Sequence, residues 1–503
     1  MTVYSFNQGI GWASSGVEYA QAYRAKIFSD LGIDAKFIFT DLILNENLQT
    51  LTSNIGFQDD QIIWLYQYFT DIKPAPSSYT LDQLKVSLEY AARNGEFERV
   101  NERIVRLRFP KEDKYATVYL KKGTEEIVDR VEHVSGKFLI RKDYYTYTRL
   151  LTEYYAPFEA KATVYLRRFY NEDGSIAYEQ IVGKDQTMYR FKDHFCYSQN
   201  EFIAYFIQSL QLQASDVVLL DRATGMGQAV FMYHHPAKLG VVIHAEHYSE
   251  NMTDEHYILW NNYYEYQFDN ASEVDFFITA TERQKELLAK HFAKYRHEKP
   301  EIIAIPVGSL AKLSYPQTPR KPYSLITASR LAAEKHIDWL IEAVVKAKKV
   351  LPELTFDIYG EGGQRQALTD LIAQKQATDY IKLKGHHDLA LIYPQYEAYI
   401  TASTSEGFGL TLMEAVGAGL AMVGLDVRYG NQTFIVPGEN GYLLTMPAQK
   451  DQSLLVDKLA QSIIQLFTVG KLARAHEASY ELAQGYLTSE IAQKWAKLLG
   501  GAK

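Results

Sequence analysis

The chain has 503 residues, 47% of them hydrophobic, and a formal net charge of −8. At about 150 residues per domain this predicts roughly three domains, each with enough apolar side chains for a core. The negative balance argues against sequence-independent nucleic-acid binding by the whole chain, and the single cysteine, Cys196, excludes an internal disulfide or a cysteine-based zinc site. The opening MTVYSFNQGIGW has neither a basic nor an apolar leader region. The most apolar run, residues 415–425, falls short of the ~18 residues of a membrane span. A soluble, cytoplasmic protein is expected, unless a surface holds it peripherally to a membrane.

Residues 2–6 read as a strand, followed by a loop over 7–16 that carries Gly9, Gly11 and Gly16. A helix follows over 17–31, with Ala20, Ile27 and Leu31 on its apolar side and Gly32 at its end. Residues 36–40 are the next strand. This opens an α/β domain whose first strand–loop–helix turn suits a phosphate, although the loop is not GxGxxG.

From about Pro74 the pattern changes. After a helix over 81–92 come alternating segments at 115–120, 126–134, 137–145 and 163–170, and a turn at 171–174 leads into a strand over Ile176–Val182. No helix long enough to cross over between parallel strands separates them, so an antiparallel insertion is predicted. Tyr144, Tyr145, Tyr147, Tyr154 and Tyr155 cluster here. Strand propensity and a half-buried face account for most of them singly, while the insertion as a whole reads as a recognition surface for a polypeptide.

The α/β rhythm resumes with a helix over 201–210 and strands at 216–220 and 239–244. A strand over Phe276–Thr279, a helix over 282–292 and a strand over 301–306 follow. Residues 310–322, with three prolines, read as a linker. A second α/β unit starts with the strand 323–328, the helix 338–350, the strand Thr355–Tyr359, a loop over 360–363 and a helix over 366–373. Strands over 380–383, 399–401 and Ala421–Leu425 and a largely helical stretch over 453–499 complete it.

The stretch SEGFGLTLMEA, residues 405–415, lies between the strand 399–401 and a helix over Leu410–Gly417. A strand, a glycine-bearing loop and a helix N-terminus in that order set backbone N–H groups and a positive dipole end at one spot, a seat for a diphosphate. Gly407 and Gly409 allow close backbone approach, and Glu406 and Glu414 frame the loop. A plainer reading also fits: Thr411 and Glu414 have capping-box spacing, and glycines after a strand are ordinary punctuation.

Two Rossmann-like halves imply a cleft lined by loops at strand C-terminal ends. Besides the loops at 9–16 and at Glu406, ASRLAAEKHID carries Arg330 and Lys335 just past a strand. Two cations beside a departing diphosphate stabilise its growing charge, although a Lys or Arg taken singly is more often a solvated helix start. The loop Lys384-Gly385-His386-His387 could hold a base or a ribose.

ASRLAAEKHIDWLIEAV, DIYGEGG, LKGHHDL and STSEGFGLTLMEA, in this order and spacing, resemble the C-terminal half of retaining GT-B glycosyltransferases of family 4. GIGWASSGVEYAQAYRAKIF, VVIHAEHYSEN, ILWNNYYEYQF and the antiparallel insertion extend the resemblance over essentially the whole chain. It is similar to the catalytic subunits of accessory-Sec systems, which add GlcNAc from UDP-GlcNAc to Ser/Thr of serine-rich adhesins.

The resemblance implies an α/β GT-B fold with two Rossmann-like domains facing a cleft. The expected division is residues 1–73 and 199–310 for the N-terminal domain and 74–198 for the insertion, which binds acceptor or partner. Residues 311–503 form the nucleotide-sugar domain, its last helix crossing back to the N-terminal one. Gly16, Val17, Glu18 and Tyr19 would meet the UDP diphosphate, and Arg330 and Lys335 would stabilise the leaving phosphates. Glu406, Gly407, Phe408 and Gly409 would hold the donor sugar, with Leu410 and Thr411 in the same donor-binding turn. Glu414 would bind the ribose, His386 and His387 would flank the uracil, and His244 would face the reacting carbon, with His247 a weaker substitute. The resemblance further implies retention at the anomeric carbon without a protein nucleophile, and a hetero-oligomer with a paralogous stabilising subunit. No Asp-x-Asp occurs in the sequence, consistent with cationic side chains in place of a metal. The rival readings are a non-catalytic acceptor-binding paralogue and another GT-B UDP-sugar enzyme; the intact Arg330, Lys335, Glu406 and Glu414 favour the enzyme.

Overall fold

The structure is a computed structural model and describes residues 1–12, 15–159, 161–446 and 451–500. The chain forms two compact units, Met1–Gly240 and Val241–Lys503.

In the first unit the strand Thr2–Asn7 lies between Val217–Leu220 and Asp34–Phe39, parallel to both, and Asp34–Phe39 pairs onward with Ile62–Trp64. The helix Gly16–Asp30 makes the first crossover. Its N-terminus is a capping box: Ser15 caps the first turn, and the Glu18 carboxylate accepts from the Ser15 N–H at 2.6 Å. Residues 13 and 14 of the glycine loop lie outside the described residues.

The insertion holds more strands than the sequence pattern predicts. It is a ten-stranded sheet in which every strand from Glu96–Asn101 to Phe195–Cys196 pairs with its neighbour in the chain. All the printed pairings are antiparallel. Expected strands at 115–120, 126–134, 137–145, 163–170 and Ile176–Val182 are joined by Ile104–Phe109, Arg149–Phe158 and Thr187–Arg190. Arg149–Phe158 escaped because Glu153 interrupts its apolar run. Arg167 and Arg168, Glu153 and Glu179 lie on strands and satisfy one another: Glu153, 3% exposed, accepts from Arg167 Nε at 2.8 Å and from Tyr144 and Tyr155 at 2.9 and 2.7 Å. One face of the sheet buries Val105, Leu107, Phe109, Val118 and Val131 against Leu81 and Leu84 of the helix Leu81–Ser87. That helix is shorter than expected because Glu89 and Asn94 turn the chain with positive φ. Of the clustered tyrosines, Tyr145 is 7% exposed and stacks on Tyr79 at 4.6 Å, and Tyr144, Tyr147, Tyr154 and Tyr155 are half-buried.

The second unit centres on a six-stranded parallel sheet. Its order is Ile381–Gly385, Thr355–Tyr359, Ser324–Ala328, Ala398–Ile400, Ala421–Leu425 and Gly441–Leu444. In chain order this is third, second, first, fourth, fifth, sixth. Winding therefore reverses between Ser324–Ala328 and Ala398–Ile400, and the crevice outside their C-terminal ends is where such sheets bind ligands. Helices Ile337–Lys348 and Gln452–Thr468 bury Leu340, Ile341, Leu459 and Ile463 in the core on one side of the sheet. The other side packs Leu412, Met413 and Val416 of the helix Leu410–Gly417. A parallel pair, Phe276–Thr279 with Ile302–Ala304, lies earlier in the chain of this unit.

Candidate active site

Two loops leave the sheet at its switch point, and they are tied together. After Ser324–Ala328 the chain passes through Arg330 to Lys335; after Ala398–Ile400 it passes through Ser403 to Glu406. The Glu334 carbonyl accepts from the Thr404 N–H at 3.2 Å. Lys335 Nζ then sits 2.6 Å from Glu406 Oε2 and 3.2 Å from Ser403 Oγ, with both charged side chains largely enclosed. Arg330 is placed differently. Its side chain is 76% exposed and touches Glu334 at 3.3 Å. An exposed i,i+4 pair of this kind holds an arginine by only about 0.3–0.5 kcal/mol, so the guanidinium is easily released to an anion.

The glycines of the loop are required by close approach. A Cβ on Gly407 would stand 2.9 Å from the His244 carbonyl oxygen. Gly409 takes φ +84° and acts as the N-cap of Leu410–Gly417 with no side chain capping it. The capping box that the spacing of Thr411 and Glu414 permits does not form. The Thr411 hydroxyl instead lies 3.0 Å from the Tyr399 hydroxyl, so the N–H groups of the first turn have no side-chain cap at Gly409. Phe408 is buried against Phe434, with ring centroids 5.2 Å apart. Leu410 packs on the adjoining core.

Glu414 lies one turn into that helix. Burial pushes its carboxyl up to about 7; a hydrogen bond from Tyr393 opposes the shift and Asp388 adds to it. It is thus close to half-ionised near neutrality. His386 and His387 are exposed beyond Ile381–Gly385; His387 Nε2 lies 2.9 Å from the Lys384 carbonyl, and its ring meets the Tyr359 ring edge-on at 5.7 Å.

His244 follows the strand Lys238–Ile243. Its N–H and that of Ala245 both donate to the Tyr264 hydroxyl, at 3.0 and 2.9 Å, which fixes the backbone that meets Gly407. His247 is fully buried, and burial holds its imidazole well below the usual histidine range. It is internal to the fold.

In the first unit Gly16 and Tyr19 are exposed and Val17 is half-buried, whereas Glu18 is buried and accepts from Asn7 at 3.2 Å and pairs with Arg222 at 3.3 Å. Glu18 therefore braces the loop, and its neighbours present backbone.

Sequence reasoning missed Arg428 and Tyr429, which follow Ala421–Leu425. Arg428 pairs with Glu246 at 2.8 Å and with Glu250 at 2.9 Å. The one available signal was position, since they leave the sheet at the same edge as the Glu406 loop.

Residues 314–472 match the family model for glycosyl transferases group 1, and residues 96–193 match that for the GtfA extended beta-sheet domain. The chain is 55% identical over 500 residues to the UDP-N-acetylglucosamine–peptide N-acetylglucosaminyltransferase GtfA subunit of Streptococcus gordonii, covering 99% of this chain and 98% of that one. The chain belongs to the GtfA family. Two solved structures agree with this membership. The pneumococcal O-GlcNAc transferase GtfA in complex with UDP and GlcNAc is 53% identical with a TM-score of 0.92, covering 99% of this chain and 98% of that one. A GtfA/B complex contains a chain 55% identical with a TM-score of 0.95, covering 99% of both. The α/β GT-B fold class and the glycosyltransferase class expected from the motifs hold for this GtfA-family chain, and the ten-stranded sheet is the family's extended domain.

Proposed function

We propose that the chain transfers GlcNAc from UDP-GlcNAc, with retention, to Ser/Thr hydroxyls of a serine-rich polypeptide. This is the first step of that adhesin's O-glycosylation before accessory-Sec export, carried out in the cytoplasm with a paralogous GtfB-like subunit and peripheral contact with the inner face of the membrane. Among the described residues, no helix is long and apolar enough to cross a membrane. The observation that carries the reading is the Lys335–Glu406 contact at the sheet's switch point, a cation and a carboxylate meeting beside an uncapped helix N-terminus.

In this reading Arg330 and Lys335 face the diphosphate, Glu406 to Gly409 hold the sugar, Glu414 takes the ribose, His386 and His387 flank the uracil, and His244 faces the reacting carbon. Gly16 to Tyr19 approach the diphosphate from the N-terminal domain. The acceptor oxygen bonds to the anomeric carbon on the face that the phosphate leaves. The carbon–oxygen bond to UDP breaks with its electron pair on the phosphate, and that phosphate receives the hydroxyl proton. Cationic side chains, and not a divalent metal, neutralise the departing charge, so turnover should withstand chelation. Residues 1–73 and 199–310 act as the acceptor-side domain, 74–198 as its recognition insertion and 311–503 as the donor domain, with the last helix returning to the first.

Incubating the purified protein, with and without its partner subunit, with several UDP-sugars and a Ser/Thr-rich peptide tests this directly. Intact-mass analysis should show HexNAc added to the peptide from UDP-GlcNAc; no addition with the partner present refutes the assignment.

A further inference from the structure

A series of buried hydrogen bonds ends on the backbone of Glu406, and none of the roles above uses it. His247 is fully buried. Its Nδ1 lies 3.0 Å from the Tyr429 hydroxyl, and its Nε2 lies 3.0 Å from Nδ1 of His291. The Tyr429 and His247 rings are nearly parallel, 16° apart. The backbone on either side of Tyr429 clasps Glu406. The Glu406 N–H donates to the Arg428 carbonyl at 3.3 Å, while the N–H groups of Tyr429 and Gly430 donate to the Glu406 carbonyl at 2.7 and 2.8 Å. Gly430 leaves no slack, since a Cβ there would stand 2.2 Å from the Phe408 carbonyl oxygen.

We propose that Tyr429 is a positioning residue for Glu406: its hydroxyl, anchored on the hydrogen-bonded His247–His291 pair, fixes the backbone from which the Glu406 carboxylate reaches Lys335. The proposal rests on the reading that Glu406 grips the donor sugar. Two imidazoles and a phenol are taken out of water here, which costs free energy unless each facing atom is partnered. Burial holds both histidines below their usual range, His291 at about 4, so the rings are neutral near pH 7. Between neutral rings a hydrogen bond needs one N–H and one lone pair, so the series has a direction, and breaking one end frustrates the next member. Hydrophobic packing could fill the same space without that directional constraint. A side chain whose neighbours are locked in this way is held to the tolerance that transfer chemistry demands.

Substitutions at His247 separate positioning from simple packing. An asparagine amide falls where imidazole Nδ1 was and can still meet Tyr429, whereas a glutamine amide falls where Nε2 was and cannot. With the protein and its partner subunit, Tyr429→Phe and His247→Gln should each lower kcat about tenfold or more, with UDP affinity by calorimetry changed less than about threefold. His247→Asn should keep kcat within about threefold of wild type, and Tyr429→Phe/His247→Gln should be no worse than the poorer single variant. Equal losses in His247→Asn and His247→Gln, or full activity in Tyr429→Phe, overturn the proposal. A crystal structure of Tyr429→Phe without nucleotide decides it independently of turnover. A Glu406 loop displaced from its contact with Lys335 supports positioning, and an unmoved loop refutes it. A wild-type enzyme that transfers no GlcNAc would refute the functional reading alone, and the Tyr429→Phe structure would still judge the series.

Discussion

Lys335 Nζ stands 2.6 Å from Glu406 Oε2, although 71 residues separate them in the chain. The cation thus carries two duties. It neutralises a partly enclosed carboxylate, and in the proposed reaction it also turns part of its field to the diphosphate. Arg330, tethered to exposed Glu334, has in that proposal the second duty alone.

Lys335→Ala and Arg330→Ala should each cut transfer by about 10²–10³-fold, the usual loss when one preorganised charge is taken from a developing anion. Stability should separate them. Arg330→Ala should stay within about 0.5 kcal/mol of wild type by urea denaturation, because an exposed pair contributes little. Lys335→Ala should lose more, since it strands Glu406. Near-normal turnover of the double variant would remove both residues from the mechanism.

Glu414 gives a pH signature. Its folded pKa, raised to about 7 from 4.5, means that the folded protein holds this proton more tightly than the unfolded chain. The stability it contributes is therefore full below about 4.5 and lost as pH rises through about 7. Glu414→Gln is neutral throughout, so its Tm relative to wild type should be higher at pH 8 than at pH 5. A difference independent of pH would show that the carboxyl is not desolvated. UDP affinity should fall in the same variant if the carboxylate accepts from ribose.

Two half-buried histidines, His291 and His476, act in the opposite sense. Burial, with Arg428 near His291 and Arg320 near His476, pushes both down to about 4. Their contribution is present above the unfolded value near 6.5 and is lost as pH falls through about 4. His476 Nε2 lies 2.9 Å from the Glu397 carbonyl, a bond that a glutamine amide can copy. His476→Gln should flatten the fall in urea midpoint between pH 7 and pH 4.5, and an unchanged slope would contradict the assignment.

Within the ten-stranded sheet, Glu153 holds Arg167, Tyr144 and Tyr155 at once while only 3% exposed. Glu153→Ala takes the ion partner from half-buried Arg167 and the acceptor from Tyr144 and Tyr155, and should cost about 2–3 kcal/mol. Glu481→Ala breaks an exposed pair with Arg474 and should cost under about 1 kcal/mol. Denaturant midpoints of the two variants make the comparison, and equal losses would mean that burial does not govern the sheet's ion pairs.

The Glu406 loop was legible because its signals are local: a short apolar run, glycines where the backbone must turn, and a helix-period stretch after them. The cations at 330 and 335 were legible for the same reason, since each follows a strand. The number of strands in the insertion was not, because Glu153 interrupts the apolar run of Arg149–Phe158, and its cross-strand partner Arg167 makes such a residue tolerable inside a sheet. The spacing of Thr411 and Glu414 suggested a cap that does not form, because the helix begins at Leu410 with Gly409 as its N-cap and Thr411 already lies within the first turn.

By itself the sequence determined the α/β alternation, the antiparallel insertion and the loops that bear charge, since these follow from periodicity and chain order. Tertiary structure alone decided that Lys335, and not Arg330, meets Glu406, that His247 is internal, and that Tyr429 reaches His247 across 182 residues. Hydrogen bonds and ion pairs depend on distance and direction, and the order of strands in the sheet, not spacing along the chain, sets both.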